Sequence, residues 1–168
     1  MEKSASLVEA LFFALMFNVV LVEPEIPPNT GNIARLCLAT GSRLHLVKPL
    51  GFSVDDRNLQ RAGMDYWKQI DLCYWENLTE FATATEAPVR RFLFTTKCQR
   101  PYWEEEFRRE DFLVFGRETR GLPESFLRSN APSCLTIPMA STVRSLNLAT
   151  AVAIALFEAV RQLHRTRA

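Results

Sequence analysis

The chain has 168 residues, enough for one domain that buries roughly two thirds of its unfolded surface. Its 48% hydrophobic and 23% charged residues are the composition of a globular protein and exclude a disordered one. A net charge of +1 gives no hint of a nucleic-acid partner; 16 of the 20 basic residues are arginine, whose planar fork grips phosphate bidentately, although ordinary surface choice or the base composition of the genome would explain that bias equally well.

The first apolar stretch, "LVEALFFALMFNVVLV" (7–22), is interrupted by Glu9 and Asn18 and is shorter than the ~20 residues of a membrane span. No small-residue cleavage site follows it. It reads as a short helix over 4–17 and a buried strand over 18–22, with Met16 as a possible internal start and 1–17 as an extension. From 18 to 168 the sequence reads as a single domain, without repeat, linker or low-complexity tract. Apolar runs at 43–47, 70–75, 91–96, 112–116 and 134–138 add five further strands. Helical stretches lie between them at 30–40, 58–64, 77–86, 103–109 and 123–129, with a last one at 146–165. This alternation predicts an α/β fold with a mostly parallel sheet flanked by helices.

The helix at 30–40 is well punctuated. Pro27 and Pro28 are expected to hold its approach extended, Asn29 or Thr30 to cap it, and Gly41 to stop it. Ile33, Leu36, Cys37 and Thr40 form its inward stripe. Asn32 and Arg35 fall on another face near the end where amides and the helix dipole favour anions.

Three strand exits carry most of the polar chemistry. Lys97 follows the strand at 91–96. "GRETRGLP" follows the strand at 112–116, with Gly116 expected to let the backbone approach a ligand and Gly121 to set a turn. Glu118 between Arg117 and Arg120 could equally be a surface ion-pair cluster. "MASTVRSLN" follows the strand at 134–138, and either Ser145 or Asn147 would cap the last helix. That helix has one apolar row at Leu148, Val152, Leu156 and Val160, and another at Leu146, Ala149, Ala153 and Phe157. Two rows require two partners, the sheet and a second copy of the chain. Glu158, Arg161, Gln162 and Arg165 form its polar strip.

Other chemistries lack their residues. The histidines are His45, inside a strand, and His164, in a charged tail, so neither a catalytic triad nor a histidine metal site is expected. Cys37, Cys73, Cys98 and Cys134 form no CxxC pair, which argues against zinc and a disulfide framework and fits a reducing cytoplasm. "WEEEF" (103–107) reads as the acidic first turn of a helix.

Taken together, "EPEIPPNTGNIARLCLATG", "FLVFGRETRGLP" and "IPMASTVRSLNLATAVAIALFEAVRQ" resemble the three motifs of the SPOUT class of RNA methyltransferases, most closely the TrmL/YibK-like tRNA wobble-nucleotide 2′-O-methyltransferases. "GFSVDDRNLQRAGMDYW" (51–67) resembles that subfamily too, and the similarity spans 18 to 162 with the motifs in order.

The resemblance implies a deep C-terminal trefoil knot, a homodimer through the last helix, and S-adenosyl-L-methionine as methyl donor, with neither metal nor membrane involved. The implied substrate is the ribose 2′-hydroxyl of cytidine or uridine 34 in tRNA, in leucine tRNAs by analogy. Another tRNA or rRNA ribose, or a non-catalytic RNA-binding role, remains the alternative. By motif, the donor contacts are Phe94, Thr95, Gly116, Glu118, Ile137, Met139, Ser145 and Leu146, and the reactive positions are Asn29, Arg35, Glu118, Ser145 and Asn147. Arg35 stays protonated, so its expected part is to hold a phosphate or to stabilise negative charge developing on the attacking oxygen. Arg35, Arg57, Arg61, Arg117, Arg120 and Arg144 are the expected phosphate contacts. The chain departs from the subfamily at Phe157, where a tyrosine is common, and in its N-terminal extension.

Overall fold

The computed structural model describes residues 16–53 and 67–165. Six strands form one parallel sheet: β1 (Asn18–Val22), β2 (Arg43–Val47), β3 (Leu72–Trp75), β4 (Arg91–Phe94), β5 (Phe112–Phe115) and β6 (Cys134–Leu135). The strand order is β3-β2-β1-β5-β4-β6. From β1 the chain winds outward through β2 and β3, then crosses to the other side for β4. There β5 fills the gap beside β1, and β6 takes the outer edge. The helices are α1 (Pro27–Thr40), α2 (Leu78–Ala84), α3 (Glu124–Ser129) and α4 (Leu148–Arg165).

The central strands read as continuous apolar runs because both faces of the sheet are covered. Val19 and Leu21 of β1 meet α1 and α4 through Ile33, Cys37, Val152, Leu156 and Ala159. Val20 and Val22 point the other way, toward Phe81 of α2 and Leu127 of α3. Each large side chain buried in these two layers contributes on the order of 1.5–3 kcal/mol. Met16 and Phe17 are fully buried in the larger cluster. They are not helical, and the remainder of the helix expected over 4–17 lies outside the described residues, as does the one expected over 58–64.

Three expectations are corrected. Residues 103–109 form no α-helix; a single 3-10 turn covers Tyr102–Glu104 and the chain then runs extended at Glu105. Tertiary bonds take that segment. Arg90 and Arg100 both pair with the Glu105 carboxylate, and Gln162 binds the Glu105 carbonyl and the Phe107 amide. The strand expected over 134–138 pairs only at Cys134 and Leu135, apart from a bridge between Pro101 and Thr136. Finally, α1 starts earlier than its cap signals suggested. Ile26 is the N-cap, and Pro27 and Pro28 occupy the first helical turn, where a missing N–H costs nothing. Gly41 does stop the helix, in the left-handed conformation at φ 64°.

His45 is a satisfied core residue. Trp75 donates its indole N–H to His45 Nδ1 at 3.1 Å, which leaves Nε2–H to donate to Asn18 Oδ1 at 3.0 Å. Asn18 passes the chain on to the Glu110 carbonyl. Burial, reinforced by the charge of Arg43, pushes the His45 pKa down to about 4, so the ring is neutral in the fold.

Candidate active site

The loops that leave β1, β4, β5 and β6 at their carboxyl ends enclose a crevice of about 520 Å³. An open parallel sheet places its ligand site there, beyond the strand ends where the winding direction changes. The floor is apolar. Phe94 and Phe115, from neighbouring β4 and β5, stack with centroids 4.7 Å apart, and Leu122, Ile137, Met139, Leu146 and Leu148 extend that surface. The walls are polar, formed by 95–97, 116–121 and 144–147.

Glu118 is the hub of these walls. Its Oε2 accepts the Glu25 amide at 2.8 Å, and its Oε1 accepts the Ile26 amide at 3.2 Å and Asn29 Nδ2 at 3.0 Å. A carboxylate at the start of α1 suits the positive end of the helix dipole. Asn29 in turn accepts Asn147 Nδ2 at 2.9 Å, and Asn147 Oδ1 caps α4 through the Ala149 and Thr150 amides. Asn147, Asn29 and Glu118 therefore form one hydrogen-bonded chain that ties three distant loops together. Glu25 returns the favour to the loop that carries Glu118, accepting the Thr119 amide at 3.0 Å and the Thr119 hydroxyl at 2.8 Å.

The 116–121 loop is a tight fold-back. The Gly121 amide donates to the Arg117 carbonyl at 2.9 Å, and a Cβ on Gly116 would lie 2.1 Å from the Gly121 carbonyl carbon. Gly116 is required by its own loop, whose fold-back leaves no room for a side chain. Gly121 sits at φ +68°, with open space around its missing side chain.

Residues 16–157 match the model of the SpoU rRNA Methylase family. The chain belongs to that family.

This SpoU family member is 48% identical over 149 residues to the tRNA (cytidine(34)-2′-O)-methyltransferase of Burkholderia pseudomallei (strain 1106a), covering 88% of this chain and 96% of that one. A solved structure concerned with "2-OH methylation of C/U34 on tRNA" is 46% identical, covers 89% of this chain and 97% of its own, and superposes with a TM-score of 0.82. The AdoMet-bound rRNA methyltransferase from Sinorhizobium meliloti is 29% identical with a TM-score of 0.78, covering 88% of this chain and 57% of that one.

In the SpoU chain, every residue expected from the motifs to touch the donor lines the one crevice: Phe94, Thr95, Gly116, Glu118, Ile137, Met139, Ser145 and Leu146. Asn29 and Asn147 line it as well. Arg35 does not. It lies exposed on α1, on the face opposite Ile33 and Cys37, away from the crevice walls of its own chain. Of the other arginines, Arg117, Arg120 and Arg144 border the crevice, while Arg57 and Arg61 lie outside the described residues.

The ion-pair cluster considered for Glu118 does not form. Arg117 pairs with Glu23, whose positive φ of 52° turns the chain out of β1. Lys97 pairs with Glu124 at 2.6 Å and holds that carboxyl below its usual range.

Glu25, Thr119 and Ile26 escaped the sequence reading. Glu25 carried a signal, as an acidic residue just ahead of a helix start, but its partner lies 94 residues away. Among the described residues there is no cluster of three or more metal-binding side chains, and no helix is long and apolar enough to cross a membrane.

Proposed function

We propose that the protein transfers a methyl group from S-adenosyl-L-methionine to the ribose 2′-hydroxyl of nucleotide 34 of tRNA, cytidine or uridine. The observation that carries this reading is the Asn147–Asn29–Glu118 chain, which draws all three motif loops around one crevice in a chain whose relatives carry that activity. The crevice fits the donor. Its volume is in the range of small-molecule sites, its floor is aromatic and aliphatic, and its walls are polar. Phe94, Phe115, Ile137, Met139 and Leu146 would cover the adenine and ribose.

When bound, S-adenosyl-L-methionine supplies a methyl made electrophilic by a positively charged sulfur. The protein must then align the attacking oxygen and stabilise the charge that develops on it. Glu118 acts as an anchor in this reading, because both its oxygens already accept hydrogen bonds, and Asn147 and Asn29 hold the third loop to it. Ser145, exposed on the rim, faces the reacting groups. Arg35 reaches them from the partner subunit of a homodimer, since it is absent from its own crevice.

The dimer surface is the outer row of α4. Ala149 and Ala153 are half-buried and Phe157 is 48% exposed, whereas Leu148, Val152 and Leu156 are already spent on the core. The C-terminal trefoil knot belongs to the same reading. The chain passes from β5 beyond β4 to the edge at β6 and returns through 136–147 to pack α4 beside α1 in the middle of the sheet. Residues 18–168 then make one cytoplasmic catalytic domain, preceded by the 1–17 extension.

Radiolabelled methyl transfer to total tRNA, followed by nucleoside identification, tests the assignment. A 2′-O-methylated pyrimidine at position 34 is expected, and label at another nucleotide overturns the substrate. Arg35→Ala is expected to abolish transfer while keeping donor binding; loss of both overturns its role.

A further inference from the structure

Ile26 stands where a polar residue is the rule. It is the N-cap of α1, a position favouring Ser, Thr, Asp or Asn because their side chains accept one of the free amides of the first turn. Here the first turn asks for no such help. Pro27 and Pro28 have no N–H, and the next two amides, of Asn29 and Thr30, both reach the Ile26 carbonyl, at 3.1 and 3.3 Å. The amide of Ile26 itself goes to Glu118. The side chain is thereby released from any duty at the helix end.

That side chain lines the crevice and is 43% exposed. The floor residues are less exposed: Phe94 is 8% exposed, Phe115 2% and Leu148 8%, and Ile137, Met139 and Leu146 are half-buried. The donor compound meets that floor. A macromolecular acceptor arrives from solvent and meets the rim, where Ile26 stands with the exposed Arg120 and Arg144. A β-branched side chain is stiff at χ1, so it offers a preformed apolar surface at little entropic cost. Arginines beside it are suited to the phosphates that flank a nucleoside.

We propose that Ile26 is the platform on which the target nucleoside rests, the carbon face of its ribose and base packing on the isoleucine while Arg120 and Arg144 take the adjoining phosphates. This rests on the methyltransferase reading above and adds to it a determinant of acceptor binding. Three measurements test it on Ile26→Ser and Ile26→Val in the full chain.

Ile26 is 43% exposed and its bonds at the helix start are all made by its backbone, so the Ile26→Ser variant is expected to melt within about 3 °C of wild type. Its affinity for S-adenosyl-L-homocysteine, by calorimetry, is expected to stay within about twofold. Its KM for tRNA is expected to rise about tenfold, from loss of the apolar surface that the nucleoside covers, and Ile26→Val is expected to recover most of that loss. An unchanged KM in Ile26→Ser overturns the platform while leaving the methyltransferase reading intact. Weakened S-adenosyl-L-homocysteine binding assigns Ile26 to the donor side and also overturns it. Wild-type protein that transfers no methyl to any tRNA overturns the underlying reading and the platform together.

Discussion

Replacing Glu118 by glutamine keeps the size and shape of the side chain and removes only its charge and one acceptor oxygen. In the native site three donors converge on that carboxylate: the Glu25 and Ile26 amides and Asn29 Nδ2. A glutamine amide turned to keep its oxygen toward Ile26 and Asn29 sets its NH₂ against the Glu25 N–H. Turned the other way, it leaves two donors facing a donor. A hydrogen bond to a charged acceptor contributes ~1.5–3 kcal/mol, and partial solvent access places this site at the low end, about 2 kcal/mol. Loss of a negative charge at the start of α1 acts in the same direction.

For a domain of this size each kcal/mol moves the melting temperature by about 2–4 °C, so Glu118→Gln is expected to melt about 4–8 °C below wild type. Differential scanning calorimetry measures this directly, with Glu104→Gln, an exposed carboxylate that does not line the crevice, as the control expected to change little. A glutamine variant that melts with wild type would show that packing, and not the carboxylate, holds the three loops.

Acid should destabilise the fold through His45. Its folded pKa of about 4 lies below the ordinary 6.5, so the unfolded chain binds the extra proton first. The stability is fully present above pH 6.5 and is lost as pH falls toward 4, by about 3 kcal/mol in total; urea denaturation across that range checks it, and His45→Gln should flatten the slope. Gly116→Ala should abolish S-adenosyl-L-homocysteine binding, because the new Cβ strikes loop backbone at 2.1 Å, whereas Gly121→Ala, with open space around it, should cost only about 1 kcal/mol of backbone strain. Calorimetric titration of both variants separates a steric block from a general loop effect. Phe157→Glu should give a folded monomer by light scattering, while Leu156→Glu, fully buried on the core side of α4, should fail to fold. A dimeric Phe157→Glu protein would place the interface elsewhere.

The local features of this protein could be read from local signals. Strands β1 and β2 fall on their apolar runs because burial on both faces keeps them apolar, apart from the satisfied Asn18 and His45 and the half-buried Arg43, which opens β2 and pairs with Asp71. Gly41 stops α1 because only glycine enters the left-handed conformation there without strain. Local signals failed where a competing bond came from far along the chain. The acidic run at 103–107 has helical propensity, but Arg90 and Gln162 hold Glu105 extended. Asn29 has the chemistry of a cap, yet its side chain is engaged by Glu118 and Asn147, and the helix begins two residues before it.

Three motif loops in their order along the chain, an apolar last helix with polar residues at its mouth, and the starts and stops of most elements are properties of the sequence alone, because each depends on side chains within a few residues of one another. Which loops meet, that Glu118 serves as an anchor and not as half of an ion pair, and that Arg35 faces away from its own crevice were decided by the tertiary structure. The bonds responsible span 89 and 118 residues. Separations of that length carry no periodicity, and they become contacts only once the strand order has brought the carboxyl ends of β1, β4, β5 and β6 to one side of the sheet.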